Sequence, residues 1–129
     1  MLDLGASYGY WSLFLSRNGF IPSAVEGSSE VAKVGKINFI LNDLPAENYL
    51  EKWVIPKDEK TYFKHETNFS FTNHLSTTGN ELLKNTCTLS DLISTYKPTL
   101  LKLDLEGLDT TVLLHTEEGL LTQLTYIVF

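Results

Sequence analysis

Hydrophobic and polar positions along this chain follow two alternating periods. Residues 1–4 are a short apolar run carrying one acid, Asp3, and lead at once into Gly5, Ala6, Ser7, Tyr8 and Gly9, which predicts a strand entering a glycine-bearing turn. Residues 10–17 then place Trp11, Phe14 and Leu15 at the i, i+3, i+4 spacing of a helix face, and Asn18-Gly19 ends that helix. Residues 20–25 predict a second strand that ends at Glu26 and Gly27. Ser28 or Ser29 is the expected N-cap of a second helix, which carries Val31, Val34, Ile37, Ile40 and Leu41 and fades near Asn42. Strands alternating with helices predict an α/β fold, with right-handed crossovers and a parallel sheet covered on both faces.

The middle of the chain is less regular. Residues 53–56 and 61–64 are rich in strand-forming residues and flank the charged link Lys57-Asp58-Glu59-Lys60, which predicts a hairpin with a solvated turn. Residues 65–85 are rich in Ser, Thr and Asn and are expected to be mainly loop. Residues 89–96 predict a short helix, with Thr88 or Ser90 near its start and Pro98 after its end. Residues 99–105 then predict a strand in which Leu101, Leu103 and Leu105 alternate with Lys102 and Asp104. A helix over residues 109–118 and a strand over residues 124–129 complete the pattern.

Composition narrows the class. Hydrophobic residues at 43% and charged residues at 20% are close to globular averages and exclude a disordered chain. The single cysteine, Cys87, has no internal disulfide partner, and it is expected to be a buried small hydrophobe rather than a nucleophile. His65, His74 and His115 are too scattered for a metal site, and no metal is expected. A net charge of −6 without a basic stripe disfavours nucleic acid, and no amphipathic basic helix suggests a membrane surface. No signal peptide or spanning segment is visible, so the expected setting is the cytoplasm.

Chemistry concentrates in two places. The turn at residues 3–9 lies at the carboxyl end of the predicted sheet, the edge where open α/β folds bind ligands. Gly5 and Gly9 let the backbone turn sharply, and Asp3 is placed to accept hydrogen bonds from loop N–H groups. Glu26 ends the next strand about twenty residues on, where an acid accepts hydrogen bonds from both ribose hydroxyls of an adenosine-containing cofactor. The plain alternative is a solvated acid in a βα turn. Together, in this order, the two elements predict a nucleotide site. A dinucleotide turn requires G-x-G-x-x-G, but Ser7 and Tyr10 stand at the later glycines, which disfavours an NAD-dependent enzyme. No G-K-[ST] occurs, which rules out a Walker loop.

The second place is the run Leu101 to Asp109, where period-two spacing puts Lys102, Asp104 and Glu106 on one face at the same sheet edge. Two acids there suit orienting a hydroxyl, accepting its proton or binding a divalent cation. The plainer alternative is a helix start, where acids complement the macrodipole. Tyr8, Tyr10 and Trp11 cluster beside the first turn and are expected to pack in the core, with Tyr8 also a candidate cover for a cofactor.

The segments LDLGASYGYWSLFLSRNG, AVEGSS, INFILND, TCTLSDLI and LLKLDLEGLD occur in the order and approximate spacing of the FkbM-type S-adenosylmethionine-dependent methyltransferases, which this chain resembles from Leu2 to Phe129. The first motif is shared by many class I methyltransferases. The pairing of Thr88, Leu89 and Leu92 with Lys102, Asp104, Glu106 and Gly107 is more specific. The resemblance implies a Rossmann-like methyltransferase that moves a methyl group from S-adenosylmethionine to a hydroxyl oxygen of a sugar, glycan or small natural product. It implies cofactor binding by Asp3, Gly5, Ala6, Ser7, Gly9 and Glu26, and catalysis by Asp104 and Glu106. Three departures stand out: the family commonly has Asn at Ser7, Pro at Gly27 and Ala-Glu at Leu108-Asp109. Ser7 keeps a hydrogen-bonding group and Asp109 keeps the charge, whereas Gly27 is expected to loosen the turn that positions Glu26. The rival from another class is a non-catalytic nucleotide-binding or interaction module that retains the fold.

The resemblance also implies that residues 1–129 form a single partial domain, with two strands and a helix expected beyond Phe129. Tyr126-Ile127-Val128-Phe129 is then an unprotected apolar edge and a predicted aggregation site, so the chain alone is expected to be poorly soluble and to bind cofactor weakly.

Overall fold

The computed structural model describes residues 1–57, 62–63, 75–76 and 81–129. Its first half consists of β1 (Leu2–Leu4), α1 (Tyr10–Ser16), β2 (Ser23–Glu26), α2 (Ser29–Leu41), a 3₁₀ turn (Ala46–Asn48), β3 (Tyr49–Glu51) and β4 (Trp53–Val54). Then follow β5 (Tyr62–Phe63), β6 (Leu75–Ser76), β7 (Glu81–Leu82), β8 (Thr86–Cys87), α3 (Leu89–Tyr96), β9 (Leu100–Leu103), α4 (Asp109–Leu114), α5 (Glu118–Leu121) and β10 (Tyr126–Val128). The principal sheet has five strands in the order β10-β9-β1-β2-β3, with every neighbouring pair parallel. The chain winds from β1 outward to β3, then returns to the other side of β1 with β9 and β10. The gap between β1 and β9 at the carboxyl ends is therefore a topological switch point. The α/β architecture expected from the sequence is present, and it is compatible with a Rossmann-like fold.

Alternation along the strands sorts side chains to two faces. Leu2, Leu4, Val25, Leu101 and Leu103 point to one side and pack with Leu89, Leu92 and Ile93 of α3, and with Val54, Cys87 and Val112. The opposite side holds Ala24, Ala32, Phe39 and Tyr49, the last two rings meeting edge to face at 5.1 Å. Gly35 lets α2 sit directly on Tyr49, because a Cβ there would lie 2.3 Å from the ring. α3 begins as expected, with Thr88 and Asp91 forming a reciprocal capping box.

Several expectations are corrected. The apolar residues at helix-face spacing are not the buried ones: α1 buries Ser12, and α2 buries Ala32, Gly35 and Phe39. Tyr8, Tyr10, Trp11 and Phe14 are exposed, as are Val34, Ile37, Ile40 and Leu41, so Tyr8, Tyr10 and Trp11 do not pack in the core. On α2 small residues share the inner face with Phe39, and Gly35 lets the helix approach a sheet that already carries Tyr49. β2 starts three residues later than expected, after Pro22, which lacks the N–H a ladder needs. The helix over residues 109–118 is broken into α4 and α5 where His115 Nδ1 and Thr116 Oγ1 bond back to the carbonyls of Thr111 and Val112. The expected hairpin does not form among the described residues: β4 pairs in parallel with β8, and β5 pairs with β6 and β7. Residues 58–60 of the predicted turn, with His65 and His74, lie outside the described residues. No helix among the described residues is long and apolar enough to cross a membrane.

Candidate functional site

The turn after β1 is held from every side. Gly5 has φ +67°, and a Cβ there would lie 1.9 Å from the Asp104 carbonyl oxygen, so only glycine lets β1 and β9 approach this closely. Ala6 N–H donates to the Val25 carbonyl at 3.0 Å, and Gly9 N–H donates to the Ala6 carbonyl at 2.8 Å. The Asn38 amide reaches the Tyr8 carbonyl at 2.9 Å, and the Tyr49 hydroxyl donates to the Ser7 carbonyl. Burial, followed by the Glu26 and Asp3 carboxylates, pushes the Tyr49 phenol well above its ordinary value and keeps it a neutral donor.

Beneath the turn is a buried charge pair. Asp3 and Lys102 are directly opposite on β1 and β9, and both side chains are buried. Lys102 Nζ lies 3.2 Å from Asp3 Oδ1 as an ion pair without hydrogen-bond alignment, while it donates to the Gly5 carbonyl at 3.0 Å. Asp3 Oδ2 accepts from the Ser12 hydroxyl at 2.8 Å. Asp3 therefore supports the turn through Lys102 and Ser12, not through loop N–H groups as the sequence suggested. The same ammonium stands 3.6 Å from Asp104 Oδ2.

Above the turn is a cleft of about 260 Å³. Gly5, Ser7, Glu26, Asp104 and Glu106 line it, so five of the eight residues proposed from sequence meet at one opening. Asp3, Ala6 and Gly9 do not line it: Asp3 and Ala6 are buried, and Gly9 is the left-handed N-cap of α1. Glu26 bridges two loops, its Oε2 accepting from Ser7 N–H at 3.0 Å and its Oε1 from Ser28 N–H at 2.8 Å. Each carboxylate oxygen thus retains accepting capacity toward the cleft.

The second acidic cluster reaches the cleft by a route different from the expected one. β9 ends at Leu103, so the period-two alignment of Asp104 with Glu106 does not persist. A turn follows instead, closed by Asp109 Oδ1 accepting from Leu105 N–H at 2.8 Å, and it holds Glu106 at φ +50°. Ser7 is likewise left-handed at φ +51°. Each such non-glycine residue costs on the order of 1 kcal/mol, and this pair faces one cleft. Sequence reading missed Tyr49, Asn38 and Ser12, which carry no local signature. It also missed Trp53, and left Lys102 without a role. A lysine within an otherwise all-leucine strand was the available signal. Comparison with protein-family models, curated proteins and solved structures yields no match to this chain.

Proposed function

We infer that this protein binds S-adenosylmethionine in the cleft and transfers its methyl group to a hydroxyl oxygen of a sugar, glycan or small natural product. The observation that carries this reading is convergence: the glycine turn, Glu26 and the acids after β9 open on one cleft at the switch point. The donor set suits an adenosine ligand. Glu26 offers acceptors for ribose hydroxyls, and Val31, Leu105 and Leu108 supply apolar wall. The motif resemblance supports the same class and extends it to the FkbM-type methyltransferases.

S-adenosylmethionine supplies an electrophilic methyl group when bound. The chain's own contribution is positioning, because displacement at that carbon requires the attacking oxygen in line. Asp104, with a largely exposed side chain, and Glu106 stand at the cleft to orient the acceptor hydroxyl, and one of them takes its proton. Such general-base help is worth about 10²–10⁴-fold. S-adenosylhomocysteine at 100 times its Kd should stabilise the fold by about 2.7 kcal/mol, seen as a raised Tm. Glu26→Ala should lose most of that rise. An unchanged Tm in the parent protein, with no heat of binding by calorimetry, would refute the reading.

A further inference from the structure

Gly27 differs from Gly5, the other glycine that lines the cleft. It lacks the left-handed φ that explains Gly5, yet a Cβ built on it would fall 2.2 Å from Cδ2 and 2.4 Å from Cε3 of the Trp53 indole. Its identity is therefore dictated by the ring, which occupies the space a side chain would need. Trp53 itself lines the cleft, with Val31, Leu105 and Leu108. Backbone bonds seat it, its N–H donating to the Asn85 carbonyl at 3.0 Å and its carbonyl facing the Cys87 thiol at 3.7 Å. Glu26 links the glycine turn to the indole: its carboxylate accepts from Ser7 N–H, and the next residue packs against the ring.

The geometry points to Trp53, seated on Gly27, as the platform on which the cleft holds a flat purine base. This rests on the nucleoside reading of the site. Glu26, the residue after it and the indole line one cleft, which puts a flat apolar ring beside the proposed sugar site. Aromatic rings recognise any base by its π-face, and apolar side chains close the other walls. The contact between Gly27 and Trp53 shapes the loop after Glu26, so Gly27 is a packed position and not the loose turn expected from the sequence.

The chain's two tryptophans allow a direct test. Trp11 sits on exposed α1, outside the cleft lining, so Trp11→Phe leaves Trp53 as sole indole reporter. Adenosine and S-adenosylhomocysteine should each quench its emission, and homocysteine should not. Trp53→Ala should weaken S-adenosylhomocysteine binding by about 5- to 150-fold, and Trp53→Phe should retain most of the affinity. Gly27→Ala, which unseats the ring, should weaken binding as well. The emission measurement leaves Trp53 intact, so a poorly folding variant does not decide the outcome. Calorimetric binding of S-adenosylhomocysteine with unmoved Trp53 emission would overturn the platform and leave the methyl-donor reading standing. Quenching by adenosine without any binding of S-adenosylhomocysteine would do the reverse. Binding of neither would end both.

Discussion

Lys102 shows how much one side chain is asked to do at this sheet edge. Its buried ammonium neutralises Asp3, holds the Gly5 carbonyl and approaches Asp104. Removing one member of a buried pair leaves an uncompensated charge, so Lys102→Met should lower stability by about 3–5 kcal/mol in urea unfolding. Adding Asp3→Asn removes the orphaned charge and should recover a large part of that loss. If the double variant is no more stable than Lys102→Met, the pair is not the source of the cost. At this scale the sequence was informative where a residue's chemistry is unusual for its place. Glycines beside a strand end and acids at successive strand ends drew attention to Gly5, Glu26, Asp104 and Glu106. Tyr49 and Asn38 act on the same turn from 42 and 30 residues away, and no spacing rule connects them to it.

Among the elements, α3 is the one whose sequence signals all agree. Thr88 Oγ1 accepts from Asp91 N–H at 3.1 Å, and the Asp91 carboxylate accepts from Thr88 N–H at 3.2 Å, which together fix its start. The hydrogen bonds from Thr88 hold the Asp91 carboxyl below its ordinary value. The unfolded chain therefore binds this proton more readily than the folded one. The linked stability is complete above the usual carboxylate range near about 4, and is lost as pH falls through the lower folded value. Thr88→Ala should cost about 1 kcal/mol at neutral pH. The gap between variant and parent should narrow on acidification, and urea midpoints at neutral and acid pH would show whether it does. α1 and α2 teach the opposite lesson. Their positions were legible from periodicity and turn residues, but their inner faces were not. A small-residue stripe of Ser12, Ala32 and Gly35 is invisible to a count of apolar spacing, although it sets how closely a helix approaches a sheet.

For the whole molecule, strand alternation with helices was enough to predict a parallel sheet, because crossover handedness leaves few other arrangements. The pairing of β4 with β8 was not foreseeable, since two-residue strands 33 positions apart leave no periodic trace. β10 forms one edge of the principal sheet, with Tyr126, Ile127, Val128 and Phe129 exposed.

The same β4–β8 pair has a consequence for how such a protein diversifies. Trp53 N–H on Asn85 and Ile55 N–H on Cys87 fasten the two ends of the intervening segment side by side, next to the cleft wall. These bonds hold the segment's ends together whatever its length, and lengthening a closed excursion costs only about 0.6 kcal/mol per doubling. By chain entropy alone, a change of length between Ile55 and Asn85 is therefore cheap, and the glycine turn, Glu26 and the Lys102 pair stand on strands outside that excursion.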